Sequence, residues 1–92
     1  MSLKRIQQAL RAGRYQFTTH ALEEMDADNL IEEEVRAILL RGQLTETLTD
    51  DPRGIRFVVR GMLAGEDREV EVVCRILPSG LLRIITVYEV EE

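Results

Sequence analysis

The sequence predicts an α+β domain in which N-terminal helices pack on one face of an antiparallel β-meander sheet. Up to Gly42 the apolar residues recur at helical spacing, and after it they alternate with polar residues, as in strands. Turn-forming segments at 50–54 and 78–80 separate the alternating stretches, which is typical of strands joined as hairpins. The 92 residues, 1–92, are therefore expected to form one domain with a single modest core.

Three short helices are predicted in the first part of the chain. The first ends at Gly13, the second covers about 20–27, and the third covers 32–41 and is closed by Gly42. Each is expected to turn one apolar face towards the core, made by Leu3, Ile6 and Leu10, by Ala21, Leu22 and Met25, and by Val35, Ile38 and Leu39, respectively. The acidic residues at the start of the third helix lie where the helix dipole favours negative charge.

Extended segments are predicted at 14–18, 44–48, 55–62, 70–76 and 81–90. In the third and fourth of these, the side expected to face the core carries Ile55, Phe57 and Val59, and Val70, Val72, Cys74 and Ile76. The last segment is rich in β-branched residues and has apolar side chains on both sides. It is therefore expected to be a central strand or to be covered on both faces.

Composition argues against several classes of protein. The net charge of -5 is unlike that of an indiscriminately basic nucleic-acid-binding protein. A single cysteine, Cys74, excludes an internal disulfide and is expected to be a buried apolar residue. The lack of a signal segment and of any apolar run of about 20 residues predicts a cytoplasmic protein with no membrane association. No metal or cofactor is expected, since there is no paired-histidine or CxxC motif and no glycine-rich phosphate loop.

Arginines on the strands form the most informative polar pattern. A tight turn at 78–80 would place Arg75 opposite Arg83, and a turn centred on residues 65 and 66 would place Arg56 opposite Arg75. Because like charges opposite one another are unfavourable, this row predicts either a bound anion or intervening carboxylates such as Glu71. A solvated sheet face, with arginine stems lying over apolar neighbours, is the alternative.

Four motifs in order, GRYxFTxHALExM, EEEVRAILLRG, DDPRGxRFVV and LRIITVYE, carry a resemblance that covers nearly the whole chain from Ile6 to Glu89. The chain resembles an uncharacterised bacterial family of small domains of unknown function, which is similar to the RelE, BrnT and MqsR toxins. The resemblance implies a few helices against an antiparallel sheet and metal-independent cleavage of messenger RNA. It also implies RNA as substrate and a small antitoxin protein as partner.

The resemblance further suggests which residues would act. The candidates for catalysis are His20, Arg56, Arg83 and Tyr88, and the candidates for RNA or anion binding are Arg56, Arg60, Arg75 and Arg83. Basic groups would stabilise the charge of the phosphorane, and the histidine or tyrosine would transfer protons. In the family the helix after the histidine commonly reads HALxRMxxR, whereas here the two arginine positions carry Glu24 and Asp28.

Structural roles stay open for two of these candidates. His20 could contact Glu24, one turn further along the helix. Tyr88 lies on the same predicted side as Ile84, so it could pack in the core with its hydroxyl at the rim. Two functions are therefore left open, and either is compatible with an oligomer. One is a RelE-like toxin with ribonuclease activity, intact or catalytically degenerate. The other is a non-catalytic domain that binds a protein through its acidic helices or its Arg-rich sheet face.

Overall fold

The computed structural model describes residues 2–63, 65 and 67–91. The predicted α+β class is confirmed, with helices that precede most of the sheet. The elements, in chain order, are α1 (Ser2–Arg11), β1 (Tyr15–Phe17), α2 (Thr19–Ala27), α3 (Glu32–Arg41), β2 (Gln43–Leu48), β3 (Arg56–Met62), β4 (Glu69–Ile76) and β5 (Leu82–Glu89). None of the described helices is long and apolar enough to cross a membrane.

The five strands form one sheet in the order β1-β5-β4-β3-β2. The last four strands are an antiparallel meander, as predicted. The short strand β1 was not expected to join them in parallel, but it pairs with the first part of β5, from Leu82 to Ile84. Beyond Ile84, no strand among the described residues lies beside this edge of β5. That open edge explains the contacts of α2 described below.

The predicted hairpin registers are confirmed. Arg75 pairs with Arg83, and Phe57 pairs with Cys74, which brings Arg56 beside Arg75. The turn predicted at residues 65 and 66 lies partly outside the described residues. The register of the strands on either side of it is nevertheless the one that this turn requires.

The helices cover one face of the sheet, and the described residues form one core between them and the sheet. Buried side chains from all three helices meet apolar residues of β3, β4 and β5, as predicted for Phe57, Val59, Val72, Cys74 and Ile84. Two predicted core residues lie elsewhere. Leu22 is partly exposed because α2 buries Ala21 and Met25 instead, and Ile55 is partly exposed because it precedes the first paired residue of β3.

A β-bulge in β5 corrects the predicted side of Tyr88. Val73 pairs with Thr86 and Cys74 pairs with Ile84, so Ile85 is an extra residue that inverts the alternation of side chains. Val87 is consequently buried in the core, and Tyr88 lies on the exposed face instead of beside Ile84. The expectation that Tyr88 packs in the core was therefore wrong.

Candidate functional site on the open sheet face

The face of the sheet that the helices leave uncovered carries two polar rows, each running across neighbouring strands. We call Arg56, Arg75 and Arg83 the arginine row. Arg60, Glu71 and Tyr88 form the glutamate row, in which Arg60 pairs with Glu71 and Glu71 with Tyr88. The two rows are four residues apart on β4, roughly 13 Å along the strand.

A carboxylate from the turn between β2 and β3 sits within the arginine row. Arg75 Nη2 donates a hydrogen bond of 2.7 Å to Asp51 Oδ2, and Arg56 Nε lies 3.6 Å from the same oxygen. Arg53 donates to Asp51 Oδ1 through its backbone N–H at 2.9 Å and its Nε at 3.2 Å. The expectation of an intervening carboxylate is thus met at this row by Asp51, which the sequence did not single out.

Burial makes this pairing necessary. The side chains of Asp51 and Arg75 are only 7% and 9% exposed, so each charge needs the other in place of water. Hydrogen bonds from the backbone and side chain of Arg53, with the positive charge of Arg75, lower the pKa of Asp51 to about 2. Asp51 therefore stays ionised at neutral pH, and so weak a base is a poor proton acceptor there.

Donors in the arginine row remain unused. The Arg83 side chain makes no hydrogen bond or ion pair with any residue that the structure describes, although it lies opposite Arg75. The Nε atoms of Arg56 and Arg75 are buried and have no hydrogen-bond partner within the described chain. Asp51 and Asp50, which is 3.6 Å from Arg56, are the acidic groups paired here. The row therefore keeps guanidinium N–H groups that have no acceptor among the described residues.

In the glutamate row, by contrast, the three side chains already form hydrogen bonds with one another. Arg60 Nε donates to Glu71 Oε2 at 2.7 Å, and the Tyr88 hydroxyl donates to Glu71 Oε1. Hydrogen bonds from Tyr88 and Arg60 lower the pKa of Glu71, and the same contacts raise the pKa of Arg60 and raise that of Tyr88 to about 12. The Tyr88 hydroxyl is thus already committed as a donor, and Arg60 already has a carboxylate partner.

Titration of Tyr88 tests this arrangement. In a Tyr15→Phe background, where Tyr88 is the remaining tyrosine, its ionisation followed by tyrosinate absorbance is expected to have its midpoint at about 12. Glu71→Gln should move that midpoint towards the ordinary value of 10.0, because the neutral phenol would lose the carboxylate that favours it. Since the folded pKa is raised, this contact stabilises the fold below pH 10 and is lost as pH rises through about 12.

The matched control is Glu69→Gln, which removes the same charge from the same strand. Glu69 lies 3.5 Å from Arg60, whereas the hydroxyl of Tyr88 donates its hydrogen bond to Glu71 and not to Glu69. It should leave the midpoint nearly unchanged. An equal shift in both variants would mean that overall charge, and not the hydrogen bond to Glu71, sets the pKa of Tyr88.

His20 lies apart from both rows. It is exposed in the first turn of α2, where its Nε2 is 3.4 Å from Glu24 Oε2, so the contact one turn along the helix is confirmed. No hydrogen bond or ion pair connects it to the arginine row among the described residues. On β5, Tyr88 is five positions from Arg83, roughly 15 Å along the strand. The catalytic roles of His20, Arg56, Arg83 and Tyr88 stay predictions, but the structure does not gather these four side chains at one point.

The acidic residues at the two arginine positions, Glu24 in α2 and Asp28 directly after it, have a structural role that the sequence did not reveal. Glu24 Oε1 accepts a hydrogen bond from the backbone N–H of Val87 at 3.0 Å, and Asp28 Oδ2 accepts from that of Glu89 at 3.3 Å. Four residues of helix rise about 6 Å, which nearly matches the span of two residues of strand. The hydroxyl of Thr18 donates to Ile85 O, so these three side chains provide hydrogen-bond partners for backbone groups at the open edge of β5.

Comparison with known proteins places the chain in a family. Residues 17–89 match the family model described as Domain of unknown function (DUF4258). No curated protein and no solved structure matches the chain. The matched region begins in β1 and ends with β5, so it includes α2, α3, the arginine row and the glutamate row. Because the match spans most of the sequence, the chain belongs to the DUF4258 family.

Proposed function

We propose that this chain is a non-catalytic interaction domain whose arginine row binds an acidic segment of a protein partner. The observation that carries the proposal is the position of Asp51, a carboxylate held among Arg53, Arg56 and Arg75 on the open face. The row thus already accommodates one carboxylate in charge-assisted hydrogen bonds. Arg83, beside it, provides an unused guanidinium for a second carboxylate, supplied by another molecule.

The separation of the candidate catalytic groups supports a binding role. Phosphodiester cleavage requires a proton-transfer group within hydrogen-bond reach of the bound phosphate. Tyr88 is committed to Glu71, His20 contacts Glu24, and Asp51 is too weak a base. Neither tyrosine nor histidine contacts the arginine row within the described residues. A phosphate bound there would therefore have the arginine-paired carboxylates of Asp50 and Asp51 beside it, but neither the histidine nor a tyrosine among the described residues.

Binding of a polyglutamate peptide at low salt, measured by fluorescence anisotropy, tests the proposal. Arg83→Ala should weaken binding about tenfold, the loss expected when one charge-assisted hydrogen bond disappears. The melting temperature should barely change, since this side chain has no partner among the described residues and a partly exposed charge contributes little to stability. The matched control, Arg11→Ala, removes the same charge from the exposed end of α1 and should retain wild-type affinity.

Equal weakening by both arginine variants would contradict the proposal, since it would indicate attraction by overall charge and not a site. Loss of binding together with a large fall in melting temperature would contradict it as well, because Arg83 would then be a structural residue.

A RelE-like ribonuclease is the second candidate function. It is favoured by the shared face of Arg56, Arg75 and Arg83 and by the unpaired state of Arg83 among the described residues. It predicts that induction of the protein alone slows bacterial growth and cleaves messenger RNA, and that Arg83→Ala abolishes the cleavage. The purified protein would also bind a short RNA with strong salt dependence. The binding proposal predicts intact transcripts in primer extension at full expression.

A further inference from the structure

A second surface lies at the opposite end of β3 from Arg56, where α2, α3 and the end of that strand meet. Three large apolar side chains are exposed there: Leu22 at 43%, Ile31 at 57% and Met62 at 52%. They line two adjoining depressions of about 270 Å³ each, which share Ile31. We call this surface, lined also by Leu30 and Ala37, the apolar groove. Exposed apolar area gathered in this way is typical of an interaction site.

The rim of the apolar groove is acidic. Asp26 and Glu32 border one depression, and Glu33 and Glu34 border the other. Among the residues that the structure describes, no Lys or Arg lines either depression. Glu34 also accepts a hydrogen bond from the Ile31 backbone N–H at 3.0 Å, and the dipole of α3 favours acids at its start. The position of these acidic residues is therefore explained by the start of α3. No contact among the described residues explains why the apolar side chains between them are exposed.

We propose that the apolar groove binds an amphipathic helix of a protein partner, with apolar residues at helical spacing and Lys or Arg beside them. Two adjoining depressions suit side chains presented one turn apart on a helix, and the acidic rim suits basic flanking residues. A second copy of this chain fits poorly, because a symmetric dimer would bring the same acidic rims together. The proposal rests on the proposed function only in requiring that the chain binds a protein, and it concerns a different surface.

Three helical peptides serve as probes. The first is built of leucine and lysine with the leucines at i, i+3, i+4 and i+7, the second replaces lysine by glutamate, and the third scrambles the first. Titration of the isotope-labelled protein by NMR should show that the first peptide binds and perturbs backbone signals of the groove residues. The second and third should bind at least tenfold more weakly. Equal binding of the scrambled peptide, or perturbation centred on the arginine row, would overturn the proposal.

Variants then locate the contact. Ile31→Ser combined with Met62→Ser should weaken binding of the first peptide about tenfold or more, because apolar side chains buried by the peptide are lost. The matched control, Ile55→Ser, alters an exposed isoleucine outside the groove and should leave binding unchanged. Arg83→Ala should also leave it unchanged, so failure of the sheet-face site and failure of the groove are separable. Equal weakening by Ile55→Ser would overturn the groove assignment.

Sedimentation velocity without peptide tests whether a second copy of this chain occupies the apolar groove. A monomer at all accessible concentrations supports a separate partner. A wild-type dimer that Ile31→Ser with Met62→Ser converts to a monomer would show that a second copy fills the groove, and the proposal would then fail.

Discussion

Replacing Ile84 by alanine is expected to lower the free energy of unfolding by about 2–5 kcal/mol. Ile84 has no exposed surface, and it lies in β5 between Cys74 on β4 and Phe17 on β1. Because its side chain belongs to the core beneath the helices, its truncation leaves a cavity among atoms that are already closely packed. Urea titration followed by circular dichroism measures the loss.

Ile55→Ala is the matched control, because it removes the same atoms from an isoleucine that is 47% exposed. Its expected cost is within about 0.5 kcal/mol, as for most surface substitutions. A loss for Ile84→Ala below about 1 kcal/mol would contradict the assignment of this side chain to the filled core.

Gly42→Ala is expected to destabilise the protein by about 3 kcal/mol, the upper part of the usual range for overpacking. A Cβ atom at this position would lie 2.5 Å from Arg60 O and 2.6 Å from Ile38 O. Both are backbone atoms, so relief requires a change in the last turn of α3, which contains Ile38, and a shift in the pairing of Gln43 with Arg60. Thermal and urea unfolding both measure the effect.

Gly61→Ala provides the comparison at a neighbouring position. Its added Cβ would approach Ile38 Cδ1 at 3.2 Å, and this flexible end of a side chain can move. Neither glycine has a positive φ, so the unfolded chain loses similar freedom in both variants. The cost at Gly61 should be below about 1 kcal/mol. A cost at Gly61 equal to that at Gly42 would show that the backbone contacts are not the cause.

Gly42 illustrates how a correct prediction can rest on the wrong reason. Its sequence position predicted the end of α3, and α3 does end at Arg41. The residue has a φ of -77° and not the left-handed conformation of a helix-ending glycine. Glycine is needed here because it has no side chain, which allows Arg60 O to approach the backbone closely. A close approach between segments distant in sequence leaves no local signal.

Register was predictable because short turns fix which residues face each other. The pairing of Arg75 with Arg83 followed from the turn between them. The bulge at Ile85 was not predictable, because the run Ile84–Val87 consists of β-branched residues that suit either face of a strand. The side of Tyr88 was therefore missed, and with it the contact with Glu71.

The sequence predicted the basic residues of the candidate site but not its acidic residue, Asp51. The arginines recur along strands whose pairing the turns reveal, so their shared face was expected. Asp51 comes from a turn, and its partner Arg75 lies in another strand 24 residues away. The place where a turn residue meets the sheet depends on the path of the whole loop, which the local sequence does not encode.

The carboxylates of Glu24 and Asp28, in α2 and directly after it, also have a consequence for self-association. The second half of β5 is rich in β-branched residues, and an uncovered edge of this type can add a strand from another molecule and start fibril growth. Glu24 and Asp28 already occupy the N–H groups of Val87 and Glu89 that such a strand would need. At the other edge of the sheet, β2 is mostly polar and interrupted by a bulge. One edge is therefore protected from amyloid-like growth by side chains and the other by its own irregularity.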